Sequence, residues 1–326
     1  MKNNQLMIYG AYGYAGELMV REAVAQRLRP IIAGRDAEKL KPIATELSLE
    51  CRAFGVRNTG SNLQDISVLL NCAGPFSATA EPLARACLAQ QIHYLDITGE
   101  IDIFRKCHAL DEEARQQNVL ILPGAGTDIV PTDCLAAMLK EKLPAATRID
   151  LALSFGTNPS IGTVNTMIES FGKGGLIREG GMLKVVSNAF QMRKIPFQNK
   201  PQWAMTIPWG DVFTSGISTG VPDGAVYMAM PRMSIYMIRL TNPVKGILNT
   251  QFGQKITKRI AGWLMKKGPD AKALEAGRGQ FWGEAEAPDG EKLEMTMSTP
   301  NVYALTATVG IRIAQYCLDY TGPGGY

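Results

Sequence analysis

The sequence predicts an α/β protein: a doubly wound parallel sheet joined to a second, α+β domain. Three observations carry this expectation. Short apolar runs alternate with helical stretches through the first 145 residues, a glycine-rich turn separates the first run from the first helix, and the alternation then stops. At ~150 residues per domain, 326 residues suit about two domains. A hydrophobic fraction of 46% with 20% charged residues is that of an ordinary globular chain and excludes disorder throughout.

Leu6–Tyr9 is an apolar run that stops at Gly10, and Glu17–Gln26 carries Leu18, Val20, Ala23 and Val24 at helical spacing. Pro30–Ala33 reads as the next strand, so strand, glycine turn, helix and strand fit within about 30 residues, a βαβ unit. Further along, Val68–Cys72, His93–Ile97 and Val119–Leu122 read as strands. Glu81–Gln90, Ile103–Gln117 and Thr132–Leu143 read as helices. A parallel sheet with both faces covered follows, over residues 1–145. Residues 146–300 form the expected second domain, opening on the alternating strand Arg148–Phe155. The polar stretch Lys267–Gln280, with Gly268-Pro269, Gly277 and Gly279, predicts a surface loop. Thr299-Pro300 starts a helix with Val302, Leu305, Val309, Ile313 and Cys317 in one stripe, and this C-terminal segment, 301–326, is expected to return to the first domain.

The turn is Gly10-x-x-Gly13-x-x-Gly16. Gly10 leaves the strand tightly, Gly13 lets backbone N–H groups approach a pyrophosphate, and Gly16 lets the helix pack on the sheet. Between a strand and a helix, this pattern predicts a Rossmann-type dinucleotide site. Arg35 ends the second strand, where an acidic residue would accept ribose hydroxyls and repel phosphate. Its planar fork suits a 2′-phosphate, so NADP is favoured over NAD. Asp36 leaves NAD open, since it could serve a 2′-hydroxyl if the strand ended one residue later.

Other chemistries find little support. The six cysteines form no C-x-x-C pair and there are only two histidines, which argues against zinc and a disulfide framework. The polar N-terminus is unlike a signal peptide, and no stretch of 18 uncharged apolar residues occurs, so a cytoplasmic protein is expected. Net charge is +4, but residues 224–269 carry eight Lys or Arg, five Met and no acid. Gln254–Lys267 there reads as a basic amphipathic helix. Besides a solvated helix, it allows docking on a membrane surface or an acidic carrier protein. No nucleic-acid partner is expected, and a homodimer is a further expectation.

Several motifs then fall in order. They are Gly10-Ala-Tyr12-Gly13-Tyr14-Ala-Gly16, Ala33-Gly34-Arg35, Asn71-Cys-Ala73-Gly74-Pro75-Phe76, Tyr94-Leu-Asp96-Ile-Thr98-Gly99-Glu100 and Gly126-Thr-Asp128-Ile-Val-Pro131-Thr-Asp133, with Gly162-Thr163 and Trp282-Gly-Glu-Ala285 beyond. The set resembles the saccharopine dehydrogenase-like oxidoreductases, and within them the branch called trans-acting enoyl reductases. The resemblance implies NADP-dependent hydride transfer to a C=C bond of an enoyl-type substrate, apolar or carrier-bound. A saccharopine-type amino-acid or imine dehydrogenase and a non-catalytic NADP-binding docking module are the alternatives. The family usually continues past Gly324-Gly325 with an apolar tail, whereas this sequence stops at Tyr326, so the tail is either dispensable or missing.

The expected cofactor residues are Gly10, Tyr12, Gly13, Tyr14, Gly16, Arg35, Ala73, Gly74, Pro75, Phe76, Thr98 and Gly99, with Phe76 near the nicotinamide. Hydride transfer also needs a proton source. No tyrosine has Lys four residues on, and His93 and His108 read as structural. Asp128, Glu100 and Tyr227 are the candidates beside bound water, although Asp128 could merely cap the helix near Pro131. No metal site is expected.

Overall fold

The computed structural model describes residues 4–155, 174–244, 250 and 277–326. It divides into two compact units, Met1–Asp128 with Tyr303–Tyr326, and Ile129–Val302.

The first unit is built on six parallel strands: β1 (Leu6–Tyr9), β2 (Ile31–Gly34), β3 (Cys51–Ala53), β4 (Val68–Asn71), β5 (His93–Asp96) and β6 (Ile121–Leu122). Their order is β3-β2-β1-β4-β5-β6, the doubly wound arrangement whose order reverses between β1 and β4. Helices α1 (Tyr14–Ala25), α2 (Ala37–Leu47), α3 (Phe76–Ala89), α4 (Ile101–His108) and α5 (Asp111–Gln116) connect them. Both faces of β1 are buried, which is why its sequence is a continuous apolar run rather than an alternation. Met7 and Tyr9 join one core with Leu83, Ala84 and Cys87 of α3. Leu6 and Ile8 join the other with Met19, Val20 and Ala23 of α1.

The second unit opens with α6 (Val130–Lys142) and β7 (Arg148–Phe155). It continues through β8 (Gly175–Glu179), β9 (Met182–Val186), β10 (Met192–Pro196), β11 (Pro201–Ile207), α7 (Asp211–Thr219), β12 (Asp223–Ala229), α8 (Arg232–Leu240), β13 (Gly279–Glu286) and β14 (Lys292–Thr299). The main path of its mixed sheet is β10-β11-β12-β7-β13-β14, with β8 paired to β12 and β9 paired to β8. Gly283 of β13 lies against α6: a Cβ there would sit 2.7 Å from Leu139 and 3.3 Å from Leu135. The side chain of α6 thus reaches this sheet because β13 offers no side chain of its own at that point. The last helix, α9 (Val302–Leu318), returns to the first unit and buries Ala307, Ile311, Ala314 and Cys317 in the core that contains α1.

Several sequence expectations need revision. Ile103–Gln117 is two helices, α4 and α5, broken at Ala109-Leu110. Periodicity alone does not see this break, because both pieces bury the same side. Helix α2 and strand β3 escaped the reading, since α2 buries only Leu40 and Ile43 and β3 is largely exposed. On α9 the buried row is Ala307, Gly310, Ile311, Ala314 and Cys317, while Leu305, Val309 and Ile313 are only half-buried. Close packing selects small residues here: a Cβ on Gly310 would meet Met19 Cε at about van der Waals overlap and Ala125 O at 3.1 Å. Gly279 and Gln280 belong to β13 rather than to a loop. The helix expected over Gln254–Lys267, the rest of the Lys267–Gly277 stretch up to residue 276, and Gly162-Thr163 lie outside the described residues. Among the described residues, no helix is long and apolar enough to cross a membrane.

Candidate cofactor and active site

Gly10 closes β1 with φ +85°, and a Cβ there would lie 2.7 Å from the Ala73 nitrogen. Only glycine meets both the left-handed backbone and this approach of the loop after β4. Gly13 N donates to Gly10 O at 3.0 Å, and a Cβ on Gly16 would run into that same carbonyl. Gly13 also N-caps α1 without a side chain, so the first N–H groups of the helix stay open to an anion. These are the requirements of a pyrophosphate cradle.

At the end of β2, the Tyr12 ring packs over Gly34, with Cε1 2.6 Å from where a Cβ would stand. Lys39 Nζ lies 5.7 Å from the centre of that ring. Asp36 is the N-cap of α2: its Oδ1 accepts from Lys39 N at 3.2 Å and its Oδ2 pairs with Lys39 Nζ at 3.2 Å. The Lys39 ammonium and amide hold its carboxyl below the usual range. Arg35, by contrast, is exposed and its guanidinium makes no hydrogen bond or ion pair among the described residues. The acidic residue at this strand end is engaged locally, and the cation is available. That arrangement fits a 2′-phosphate.

The other side of β1 has a different character. Gly74 and Pro75 are exposed and joined by a cis peptide, while Phe76 begins α3 and packs partly on the core. Thr98 is buried, and its Oγ1 accepts from Glu100 N at 3.0 Å. Beneath these loops runs a buried polar chain. Asn71 Oδ1 accepts from Ala73 N at 3.0 Å, and its Nδ2 donates to Thr79 Oγ1 and Tyr94 OH, each at 3.2 Å. Tyr94 OH donates to Asp96 Oδ2 at 2.8 Å, and Asp96 Oδ1 accepts from Thr98 N and Gly124 N, both at 3.0 Å. Burial pushes the Asp96 carboxyl up to about 6, against the pull of those donors. Sequence reasoning quoted Asn71, Tyr94 and Asp96 within motifs but gave them no role. The signal was present: the apolar runs of β4 and β5 end on Asn71 and Asp96, where a buried polar group must find partners.

Asp128 lies on the loop after β6. A Cβ on Gly99 would be 3.1 Å from Asp128 Oδ2, so the loops after β5 and β6 meet at this carboxyl. Burial raises its pKa to about 7. The N-cap of α6 is Ile129, so Asp128 is not the helix cap. Glu100 occupies the N-cap position of α4 without a side-chain cap. Tyr227 lies in the second unit, in the interior of its sheet, with its hydroxyl bonded to Gln191. Burial pushes that phenol up to about 12.

Two further residues come from the chain's far end. Thr306 of α9 accepts from Thr127 N at 3.2 Å and bonds its hydroxyl at 2.9 Å, bracing the loop of Asp128. Tyr303 meets Tyr14 edge-to-face, with centroids 5.2 Å apart.

A 3-2-1-4-5-6 parallel sheet with a glycine cradle and a free arginine at the second strand defines a dinucleotide-binding domain of the NADP type. Residues 6–122 match the family model of the saccharopine dehydrogenase NADP-binding domain, and NADP is the cofactor of this unit. The chain is similar to proteins named saccharopine dehydrogenase-like oxidoreductases. A protein of that name from Rattus norvegicus is 26% identical over 231 residues, covering 62% of this chain and 53% of the relative. The chain thus spans about half the length of such relatives. A Mycobacterium tuberculosis protein named as a trans-acting enoyl reductase is 28% identical over 146 residues, 39% of this chain and 33% of that one. Saccharopine dehydrogenase (L-Glu forming) from Saccharomyces cerevisiae has the same fold, with a TM-score of 0.66 at 10% identity over 98% of this chain and 93% of that one.

Proposed function

We propose that the protein reduces the C=C bond of an enoyl-type substrate, using NADPH. The observation that carries this choice of substrate is the state of three of the second unit's guanidiniums, on Arg148, Arg178 and Arg193. Arg193 is bound through both terminal nitrogens to Glu284 at 3.1 Å and lies 4.6 Å from the Trp282 ring centre. Arg148 pairs with Asp150 at 2.9 Å, and Arg178 is buried against the carbonyls of Val212 and Val221. Arg193 and Arg148 are held by carboxylates, and Arg178 by carbonyls and the Ser215 hydroxyl with its Nη2 alone unpaired, whereas an amino-acid substrate needs a cation for its carboxylate. The likeness to the mycobacterial protein supports the same reading.

In this reading the turn at Gly10, Gly13 and Gly16 holds the pyrophosphate, and Arg35 holds the 2′-phosphate. The loops after β4 and β5, including Ala73–Pro75, Thr98 and Gly99, flank the nicotinamide. Bound there, NADPH supplies the hydride. Asp128 keeps a proton on its carboxyl near neutral pH and gives it to the substrate carbon next to the carbonyl, with Glu100 on the adjoining loop. Tyr227, buried and bonded to Gln191, supports its own sheet rather than proton transfer.

The substrate is apolar and carried by an anionic partner. In α8, Met233, Met237 and Leu240 are exposed at helical spacing beside Arg232 and Arg239, with no acid in the helix. Loss of NADPH absorbance with medium-chain enoyl thioesters, set against cyclic imino acids, tests the reaction. Turnover of the imines alone would overturn it. Co-sedimentation with anionic but not neutral vesicles, lost on raising salt, tests a membrane as the partner.

A further inference from the structure

Among the described residues, the chain Thr79–Asn71–Tyr94–Asp96 bonds the loops after β4, β5 and β6 on one side of β1 and no loop on the other side. Asn71 Oδ1 fixes the Ala73 amide, and Thr79 Oγ1 donates to Ala73 O at 2.6 Å, so the loop after β4 is held at both backbone groups of one residue. Asp96 holds the Thr98 amide after β5 and the Gly124 amide after β6. Its own carbonyl accepts from Ala125 N at 2.6 Å. Tyr94 OH joins the two ends, accepting from Asn71 and donating to Asp96. Asn71, Tyr94 and Asp96 are all fully buried. Arg35 and Tyr12, at the adenosine end, make no bond to this chain.

A buried carboxylate is costly, and nothing in the sheet itself requires one at the end of β5. What it does is hold two backbone amides of two different loops at 3.0 Å from a single oxygen. Loops tied to one atom cannot move independently. We propose that Asp96, through Tyr94 and Asn71, is the positioning residue of the nicotinamide half of the cofactor site, fixing the loops after β4, β5 and β6 as one platform. The role rests on the reading above that those loops flank the nicotinamide. Asp96 itself touches no cofactor; it acts through the Ala73, Thr98 and Gly124 backbone.

The substitution Asp96→Asn separates this role from a general structural one. Its oxygen can keep both amides, but its Nδ2 then faces the Tyr94 hydroxyl, which is left with no acceptor for its proton. Tyr94→Phe removes the hydroxyl alone and breaks the link to Asn71. The experiment measures affinity of the full chain for two probes, NADPH and adenosine 2′,5′-bisphosphate, which contains the adenosine half only. The expected result is a loss of roughly tenfold to a hundredfold in NADPH affinity for Asp96→Asn, the scale of bonds to a charged group. A smaller loss is expected for Tyr94→Phe, and bisphosphate affinity should stay within about twofold in both. NADPH fluorescence in the complex should also shift toward that of the free cofactor. Parallel weakening of both probes, or unchanged NADPH affinity, would overturn the positioning role. Should Asp96→Asn not fold, the same contrast between probes in Tyr94→Phe decides. A wild-type chain that binds the bisphosphate but places no nicotinamide, so that NADPH binds no more tightly than the bisphosphate, would overturn the platform reading beneath the proposal.

Discussion

The two sides of β1 solve one binding problem by opposite means. On the β2 side, the proposed adenosine end presents side chains, the exposed Arg35 fork and the half-buried Tyr12 ring, and the nearby acid is engaged in capping a helix. On the β4–β6 side, the surface is mostly backbone, and the polar side chains lie beneath it as supports. The difference follows from what each half must recognise. A phosphate is found by charge through water, and an exposed arginine suffices. A nicotinamide must be placed to within a fraction of an ångström for hydride transfer, which calls for rigidity under the loops.

The largest expected effect comes from removing what the two sides share. Gly16→Ala sets a methyl group against the Gly10 carbonyl, so the turn itself must shift. NADPH and adenosine 2′,5′-bisphosphate binding should both be lost, more than a hundredfold, with a destabilisation of about 1–3 kcal/mol for overpacking. Gly13→Val is milder for the fold, since a Cβ there is 3.2 Å from Gly10 O, but its branches stand in the phosphate's space. A melting curve near wild type with no NADPH binding is the expected result. If either variant lost only one probe, the turn would not be common to both halves.

Asp128→Asn comes next and acts on the nicotinamide side alone. Removing a proton donor lowers kcat by about 10²- to 10⁴-fold while NADPH affinity is kept. The wild-type profile supplies the sign. Burial holds the Asp128 pKa at about 7, above that of an ordinary carboxyl, so the acid form needed for donation is present below pH 7 and lost above it. The rate should therefore fall as pH rises through about 7, and Asp128→Asn should remove that limb. A falling limb that persists in the variant would move the donor elsewhere, to Glu100 or to water.

How much of this was legible in the sequence depends on the same contrast. Glycines betray themselves, because Gly10 and Gly16 are required by close approach and their spacing is short. The strands of the first sheet were visible because burial on both faces makes them continuous apolar runs, whereas α2, with two buried residues, left almost no pattern. Arg35 could be placed by counting from the turn. Asn71 could not be connected to Tyr94, nor Asp96 to Gly124, since these bonds span 23 and 28 residues and depend on sheet order. Tyr303 and Thr306 were harder still: they reach Tyr14 and Thr127 only because α9 returns to the first core. In the second unit, the alternation of β7 was readable, but not that Asp150 would find Arg148 and Arg193.

Arg35→Ala should affect the adenosine side alone. Among the described residues the guanidinium has no partner to leave behind, so stability is unchanged and the loss is that of a charge-assisted phosphate contact. NADPH affinity should fall roughly tenfold to a hundredfold, and NADH affinity hardly at all. Equal losses for both cofactors would place the 2′-phosphate on another residue.

The smallest effect, on binding, is expected at Asp36, the neighbour that offered the competing reading. A residue that accepts ribose hydroxyls would, on removal, weaken NADH. The structure instead spends its carboxylate on the Lys39 amide and ammonium at the start of α2. Asp36→Ala should therefore lower the melting temperature by about 2–4 °C, as loss of an N-cap does, and leave the ratio of NADPH to NADH affinity unchanged. The pH dependence has a definite sign as well. Because the folded pKa is depressed, the cap contributes fully above the unfolded value of 3.8 and is lost as pH falls through the lower folded value. The gap in melting temperature between wild type and variant should accordingly be constant near neutrality and close in acid. An NADH affinity that dropped while stability held would show that Asp36 turns toward the ribose when cofactor binds, and would erase the division of labour between Arg35 and its neighbour.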